Sequence, residues 1–389
     1  MKPRSLFTQV KDTSRLFTGG VKQPGNEKAI HRIQGFVAGA TFVFLIQLIG
    51  GFIFSKSEEV LLAKTISWGV AFLAALIYTM IVVSIDKNEK EPWIMMFISF
   101  FWGTVISGTI AGLLNSIAYQ KMGISFSVAP FTEEISKGAV LLLIFLYASN
   151  EFDNVLDGII YGALVGIGFA MQENVDYFMK GFENLPKFYE QIEKQFFLRI
   201  ILGGLASHAT YTAITGIGLG ISRQIKKRWM KVVFPVLGLI LAISAHALWN
   251  SEWVNKWLEL GRFSSPYLRI SVRAFWLMGP FFLLVIIAIT LAWRKESLVI
   301  FEQLSNEIIS PYPFLTLETL GKVSARRKAR WRILSNHGLS AMLLLQKIQR
   351  AYIDLAFSKA NGFDEQATHA RLQIESQVVK LEKVIQGKA

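Results

Sequence analysis

Eight runs of mostly apolar residues dominate this chain, and they fix its solvent before any finer detail is read. A helix needs about 20 such residues to cross a bilayer core of roughly 30 Å. The runs fall approximately at Gly35–Phe54, Leu61–Ile85, Trp93–Tyr119, Glu133–Ser149, Gly158–Phe178, Leu198–Ile221, Val232–Ser251 and Tyr267–Trp293. Backbone N–H and C=O groups must find partners within lipid, and runs of this length do so as helices. The fold class is therefore all-α, a polytopic transmembrane helical bundle of about eight helices. Only 18% of residues are charged, against about a quarter in soluble domains. No cysteine occurs, which excludes disulfides, thiolate metal ligands and cysteine nucleophiles. The opening MKPRSLFTQVKDTSR lacks the apolar core of a cleavable signal, so the first run is expected to remain as an anchor.

The formal charge is +13, and its distribution predicts orientation rather than nucleic-acid binding. Short cytoplasmic flanks are enriched in Lys and Arg. Seven such residues precede Gly35, five lie in RQIKKRWMK (Arg223–Lys231), and RRKARWR (Arg326–Arg332) follows the last run. All three are cytoplasmic only if the crossings between them are even in number, and eight satisfies this. Both termini are then expected inside, with Pro130, Trp249, Trp253, Trp257 and Tyr267 near the outer interface, where aromatic rings are favoured. Three segments follow: a basic cytoplasmic start (1–34), a membrane domain (35–293) and a basic cytoplasmic helical tail (294–389). The tail carries apolar residues at helical spacing, Leu339, Met342, Leu343, Leu345, Ile348 and Tyr352. Its basic stretch Lys322–Arg332 is expected to lie on anionic lipid headgroups, with no nucleic-acid partner.

Ionisable residues inside the apolar runs are the functional signal, because each costs about 2.5 to 3.5 kcal/mol on the translocon insertion scale. Run four opens with APFTEEISKGAV, which places Glu133 and Glu134 one turn from Lys137. Run five holds Glu173 and Asn174 in GFAMQENVDYF, run six holds His208 in LASHATYT, and run seven holds His246 and Asn250 in SAHALWN. On the topology set by loop charge, runs four and six run inward and runs five and seven outward. The polar groups of all four then reach overlapping depths in the outer half of the bilayer. Gly158, Gly162 and Gly166 recur every fourth residue, a surface that lets a neighbouring helix approach closely. Structural readings exist for each residue taken singly. Thr132 can cap run four with the glutamates in its first turn, each histidine can bond across to a neighbour, and Glu173 with Asn174 can form an interhelical clamp.

At these residues the sequence resembles the PrsW family of intramembrane proteases, related more distantly to the CAAX prenyl proteases. The resemblance runs from about Asp86 to Asn250. It covers DKNEKEPW, the EExxK pattern of Glu133, Glu134 and Lys137, GFAMQENVDY, HATYT and HALWN. It implies a peptidase of the bacterial plasma membrane whose substrate is a membrane protein or peptide, such as an anti-sigma factor already trimmed by a first protease. Peptide hydrolysis needs an activated water, a proton donor for the amine and a partner for the oxyanion. Glu133 or Glu134 is the candidate base, with a slight preference for Glu134, and Lys137 keeps one of the pair ionised. Glu173, His208 and His246 are a candidate zinc set. The same residues can also act without metal, a histidine serving as acid and Asn174 or Asn250 donating to the oxyanion.

Other intramembrane mechanisms fit less well. The nearest approach to a Gly-x-Ser-Gly serine site, Gly123 to Phe126, lies in a loop, and Asp86 and Asp157 sit at the cytoplasmic edge rather than as an intramembrane aspartyl pair. An ion- or proton-coupled transporter remains the alternative, since buried carboxylates and histidines also build proton relays. Broken helices and an inverted repeat would favour it. A noncatalytic membrane scaffold is a third reading.

Overall fold

A computed structural model describes residues 27–122, 128–148, 151–251, 265–307, 312 and 314–386. Trp253, Trp257, Ser149, the Gly123–Phe126 loop and the basic start before Glu27 lie outside the described residues. Among the described residues the regular structure is all helical: α1 (Glu27–Ile53), α2 (Glu58–Ile85), α3 (Trp93–Phe101), a π-helical turn Trp102–Ser107, α4 (Gly108–Met122), α5 (Ala129–Tyr147) and α6 (Val155–Met179). Then come α7 (Leu185–Gln195), π-helical segments Phe196–Gly203 and Leu205–Ala209, α8 (Thr210–Gln224), α9 (Met230–Asn250), α10 (Pro266–Leu277) and α11 (Gly279–Leu304). The tail forms α12 (Leu317–Gly321), α13 (Val323–Ala360) and α14 (Asp364–Ile385).

Among the described residues, six helices are long and apolar enough to cross a membrane, or seven if α10 and α11, bent by 48°, make one span. The fourth predicted run forms α5, whose 19 residues reach about 28 Å. It is not one of those six helices, because three charges, Glu133, Glu134 and Lys137, fall within its short length. The chain is thus an integral membrane protein built as a polytopic helical bundle.

Two compact units divide the described chain, one within Lys22–Ile85 and Glu91–Ile289, the other comprising Asp86–Lys90 and the residues from Thr290 onward. In the first, α6 is the axis, with 83% of its apolar window buried against 11% for α1 and 22% for α9. Its start is fixed by a capping box in which Asn154 accepts from the Asp157 N–H and Asp157 accepts from the Asn154 N–H. Lipid tails are as apolar as leucine, so close van der Waals contact, not hydrophobic burial, holds such helices together. α6 achieves it with glycine. A Cβ at Gly158 would overlap the backbone of Gly216, one at Gly162 that of Thr212 and Ala213, and one at Gly166 that of His208 and Ala209. The every-fourth-residue glycines therefore seat α8 directly on α6, and the first residues of α8 carry the site.

Two features depart from sequence expectation. The sixth run, read as one helix, is broken. Gly204 has φ +24, a region that disfavours side chains, and a Cβ there would come within 2.8 Å of both the Ile200 oxygen and the Tyr78 hydroxyl. The backbone freed at the break is re-satisfied: Gly204 N–H donates to the Arg199 oxygen, and the Tyr78 hydroxyl donates to the Ile200 oxygen. Thr132 is also not a cap. Helix α5 starts four residues further back than expected, with Pro130 in its first turn and no side-chain cap, and the Thr132 hydroxyl donates to Asn115 Oδ1 at 2.6 Å. Glu133 and Glu134 therefore lie beyond the first turn, in the body of the helix.

In the second unit, α13 turns at Gly338, φ +78, and packs along α14 through Leu345, Ile348, Tyr352, Ala367 and Ile374. Of the six predicted apolar positions in the tail, Leu345, Ile348 and Tyr352 are buried, whereas Leu339 and Leu343 are exposed. Leu339 and Leu343, one turn apart, fall beside the packed face of α13, which runs through Ala341, Leu345, Ile348 and Tyr352. Residues of DKNEK belong to this unit. Asn88 donates to Glu296 Oε2 at 2.6 Å and accepts from Arg326, its carbonyl accepts from Arg350, and the Lys87 ammonium lies over the Trp293 ring. Burial of Asn88, Glu296 and Arg326 is thus matched by hydrogen bonds among them, as buried polar groups require.

Candidate active site

The buried face of α5 presents Glu133, Glu134, Ser136 and Lys137. Its rotation is fixed by neighbours, since Trp102 Nε1 donates to the Ser136 carbonyl at 3.0 Å and Ser136 Oγ donates to the Ser107 carbonyl at 3.3 Å. The Lys137 ammonium, fully buried, donates to Glu134 Oε1 at 2.8 Å, reaches Glu133 Oε2 at 3.4 Å and lies 3.0 Å from His208 Nδ1. It also sits 3.7 Å from the centre of the Phe169 ring, a cation–π contact strengthened where water is excluded.

From α8, the Thr212 hydroxyl donates to Glu134 Oε2 at 3.3 Å. From α9, His246 Nδ1 lies 2.9 Å from Glu134 Oε1 and His246 Nε2 lies 3.8 Å from Glu133 Oε2. From α6, Glu173 Oε2 lies 2.7 Å from His208 Nε2 and pairs with Arg199. Arg199 Nε also donates to Asn174 Oδ1 at 2.8 Å, and its guanidinium stacks on Tyr177.

These contacts assign tautomers. Lys137 can only donate, so His208 Nδ1 accepts and its Nε2–H donates to Glu173. Glu134 as a carboxylate can only accept, so His246 Nδ1 donates to it, and in the neutral ring Nε2 is the acceptor nitrogen, on the side of Glu133. Glu134 is fully buried, with both oxygens engaged, while Glu133 retains 8% exposure.

Glu133, Glu173, Asn174, His208, His246 and Asn250 share one cavity of about 140 Å³, walled also by Arg199, Tyr211, Trp249 and Met278. A water occupies about 30 Å³ of liquid, so there is room for several. The sequence-predicted residues are therefore brought together, Glu134 and Lys137 lying directly behind the cavity wall. Sequence reading did not single out Arg199, which ties Glu173 to Asn174. Its signal was present, an arginine one residue inside an apolar run, but it reads as flank when the run is taken as continuous. Tyr211 was also passed over, because a tyrosine in an apolar helix carries no polar signature of its own.

The donors suit a divalent ion in kind and spacing. One atom each from Glu133, Glu134, His208 and His246 lies within 4.8 Å of the others, and two imidazoles with carboxylates are the ligand types zinc takes. Glu173 is not among these four, since it faces His208 Nε2 and Arg199 instead. The Lys137 ammonium contacts three of the same four residues.

The sequence profile described as "PrsW family intramembrane metalloprotease" matches residues 91–289. Protease PrsW of Bacillus subtilis is 30% identical over 165 residues, 40% of this chain and 70% of that protein. Protease PrsW of Geobacillus kaustophilus is 30% identical over 161 residues, 39% of this chain and 66% of that protein. Protease PrsW of Clostridioides difficile is 33% identical over 126 residues, 29% of this chain and 52% of that protein. No solved structure matches the chain.

Proposed function

We propose, for a chain that belongs to the PrsW family and is thus an intramembrane peptidase, that Glu133 activates the hydrolytic water. The observation that carries this reading is the difference between the paired glutamates. Glu134 is sealed by Lys137, His246 and Thr212, whereas Glu133 lines the cavity with only two long contacts, 3.4 Å to Lys137 and 3.8 Å to His246 Nε2. This reverses the slight preference for Glu134 drawn from sequence. Glu134 then acts through His246, holding its Nδ1–H so that Nε2 stays an acceptor beside Glu133. A water between Glu133 and His246 Nε2 loses a proton to the carboxylate as its oxygen attacks the peptide carbon, and Glu133 returns that proton to the leaving amine as the C–N bond breaks. Asn250, on the cavity wall, is placed to donate to the oxyanion.

Glu173 and Arg199 are positioning residues. Glu173 fixes the His208 tautomer, Arg199 holds Glu173 and Asn174, and Lys137 balances the two glutamates of α5. Were a zinc-class ion held by Glu133, Glu134, His208 and His246, it would supply a Lewis acid and a more acidic water, and Glu133 would then be a ligand instead of the free base.

The substrate class is a membrane protein or membrane-embedded peptide, because the site is built on membrane-spanning helices. The site faces the extracytoplasmic half of a bacterial plasma membrane, both termini are cytoplasmic, and the catalytic machinery is complete before residue 294. The charge pattern of the loops supports this topology. In the tail, exposed Trp331 is flanked by exposed Arg327, Lys328 and Arg332, the combination of cation and interfacial ring that suits an anionic lipid surface.

The test is cleavage of a transmembrane peptide by detergent-purified protein whose metal content is measured in parallel. Glu133→Gln keeps volume but cannot take the proton, so kcat should fall by about 100- to 10,000-fold at parental accumulation in membranes. Parental turnover by Glu133→Gln would assign the base elsewhere. His246→Ala should also abolish cleavage and, where an ion is bound, lower its content.

A further inference from the structure

The hydroxyl of Tyr211 has no place in the mechanism so far. Tyr211 lies on the first turn of α8, three residues after His208 and one before Thr212, and is 1% exposed. Its ring stacks on His246, with centroids 5.3 Å apart and planes at 21°, and meets the edge of His208 at 6.0 Å. The ring is held from behind by Ala242, Ala245 and Phe281. It nevertheless walls the cavity that holds Glu133 and both histidines. Its hydroxyl oxygen is buried and has no hydrogen-bond partner among the described residues.

A buried phenol without a partner is destabilising, and buried tyrosines ordinarily find one. Its nearest polar neighbours are largely committed: Glu134 by three donors, His208 on both nitrogens and His246 on Nδ1. The oxyanion of a tetrahedral intermediate is an acceptor that exists only during turnover, and a donor reserved for it must be idle at rest. A neutral phenol donates without first losing or gaining a charge, which suits a carboxylate-rich site.

We propose that Tyr211 is a catalytic residue whose hydroxyl donates to the oxyanion of the tetrahedral intermediate, alongside Asn250. The inference rests on the catalytic reading given above. The phenol keeps its proton throughout: the negative oxygen forms as water adds to the carbonyl, accepts the Tyr211 hydrogen bond, and re-forms the carbonyl as the amine departs.

Tyr211→Phe keeps the ring, its stack on His246 and its packing, and removes only the hydroxyl. With a fluorogenic transmembrane peptide in lipid vesicles, kcat should fall about 100- to 1000-fold with little change in KM, the loss typical of one oxyanion donor. The thermal midpoint should hold or rise, since an unpaired buried group is gone. A phosphonate analogue of the same peptide, carrying a tetrahedral anionic centre, should bind the variant weaker by a similar factor, while the intact peptide binds Glu133→Gln and Glu133→Gln/Tyr211→Phe equally well. Parental kcat and parental phosphonate binding in Tyr211→Phe, in a preparation where Glu133→Gln is inactive, would overturn the role of Tyr211 and leave the base assignment standing. Cleavage surviving in Glu133→Gln would instead remove the reading beneath it.

Discussion

Gly166→Ala adds one methyl group at the seam where α6 carries α8, and its consequence can be worked from the packing. The new Cβ would lie 2.2 Å from the His208 carbonyl oxygen and 2.6 Å from Ala209 Cα, where ordinary contact begins at 3.4 Å. Backbone cannot rotate away as a side chain can, so the two helices must part by roughly the missing 1.2 Å at the tighter contact. His208 moves with the backbone that is pushed. Misplacement of reacting groups by about 1 Å costs on the order of 100-fold in rate, and overpacking a tight seam costs about 1 to 3 kcal/mol of stability. Gly166→Ala should thus accumulate as a folded membrane protein with a modestly lowered thermal midpoint and a kcat lower by about two orders of magnitude. Gly112→Ala is the control, because a Cβ there meets nothing within 4 Å, and it should be stable and fully active. Turnover of a membrane peptide and thermal unfolding, measured on the same preparations, decide the matter. Parental kcat in Gly166→Ala would refute the claim that close approach of α6 and α8 sets the position of His208.

Single cysteines at Lys121 and Gln224, both exposed, should be labelled by an impermeant thiol reagent from opposite sides of intact cells, the first from outside; labelling of position 224 from outside would invert the topology. In the tail, hydrogen bonding from Arg371, then from Lys359, holds Glu307 down to about 2. A depressed carboxylate stabilises fully above its unfolded value of about 4.3 and loses that contribution as pH falls through its folded value. Protection of the α14 amides, taken relative to their intrinsic exchange rates, should therefore fall between about pH 4.3 and pH 2, and Glu307→Gln should flatten that dependence; an unchanged profile in the variant would remove Glu307 as its cause.

The sequence was most legible where physics acts through single residues. Apolar run length located every described membrane helix, and the insertion cost of a charge in lipid drew attention to Glu133, Glu134, Lys137, Glu173, His208 and His246, which the structure gathers around one cavity or directly behind its wall. Legibility failed where the signal is relational. Gly203 and Gly204 leave mean hydropathy unaffected, so nothing in composition shows that run six breaks there, although Gly204 with φ +24 redirects the backbone that bears His208. Continuity assumed across Gly204 also made Arg199 look like a flank. The roles of the paired glutamates were not separable from spacing alone. Glu133 and Glu134 are both within reach of Lys137 on one helix, and only the arrival of His246 and Thr212 from other helices seals one and leaves the other open.

The break in run six also bears on the transporter alternative, for which discontinuous helices count as support. Non-helical backbone at membrane depth is tolerated where it is buried in protein or lines a cavity. Here Gly203 and Ser207 from the break and Met278 from the bend between α10 and α11 all wall the same cavity as the glutamates and histidines. Both irregularities thus serve one site. In an alternating-access carrier, the discontinuous helices occupy corresponding positions of two repeats and present helix ends and unwound carbonyls to an ion. The carbonyls freed at Gly204 are instead closed, Arg199 by the Gly204 N–H and Ile200 by Tyr78, and charged side chains rather than backbone dipoles face the cavity. A peptidase has a direct use for such a wall. A helical peptide bond hides its carbonyl in its own hydrogen-bond ladder, so the scissile segment must unwind before water can reach it. Unwinding within lipid is costly unless the enclosing surface is polar and shaped to receive extended backbone. The cavity beside the break provides that surface within reach of Glu133.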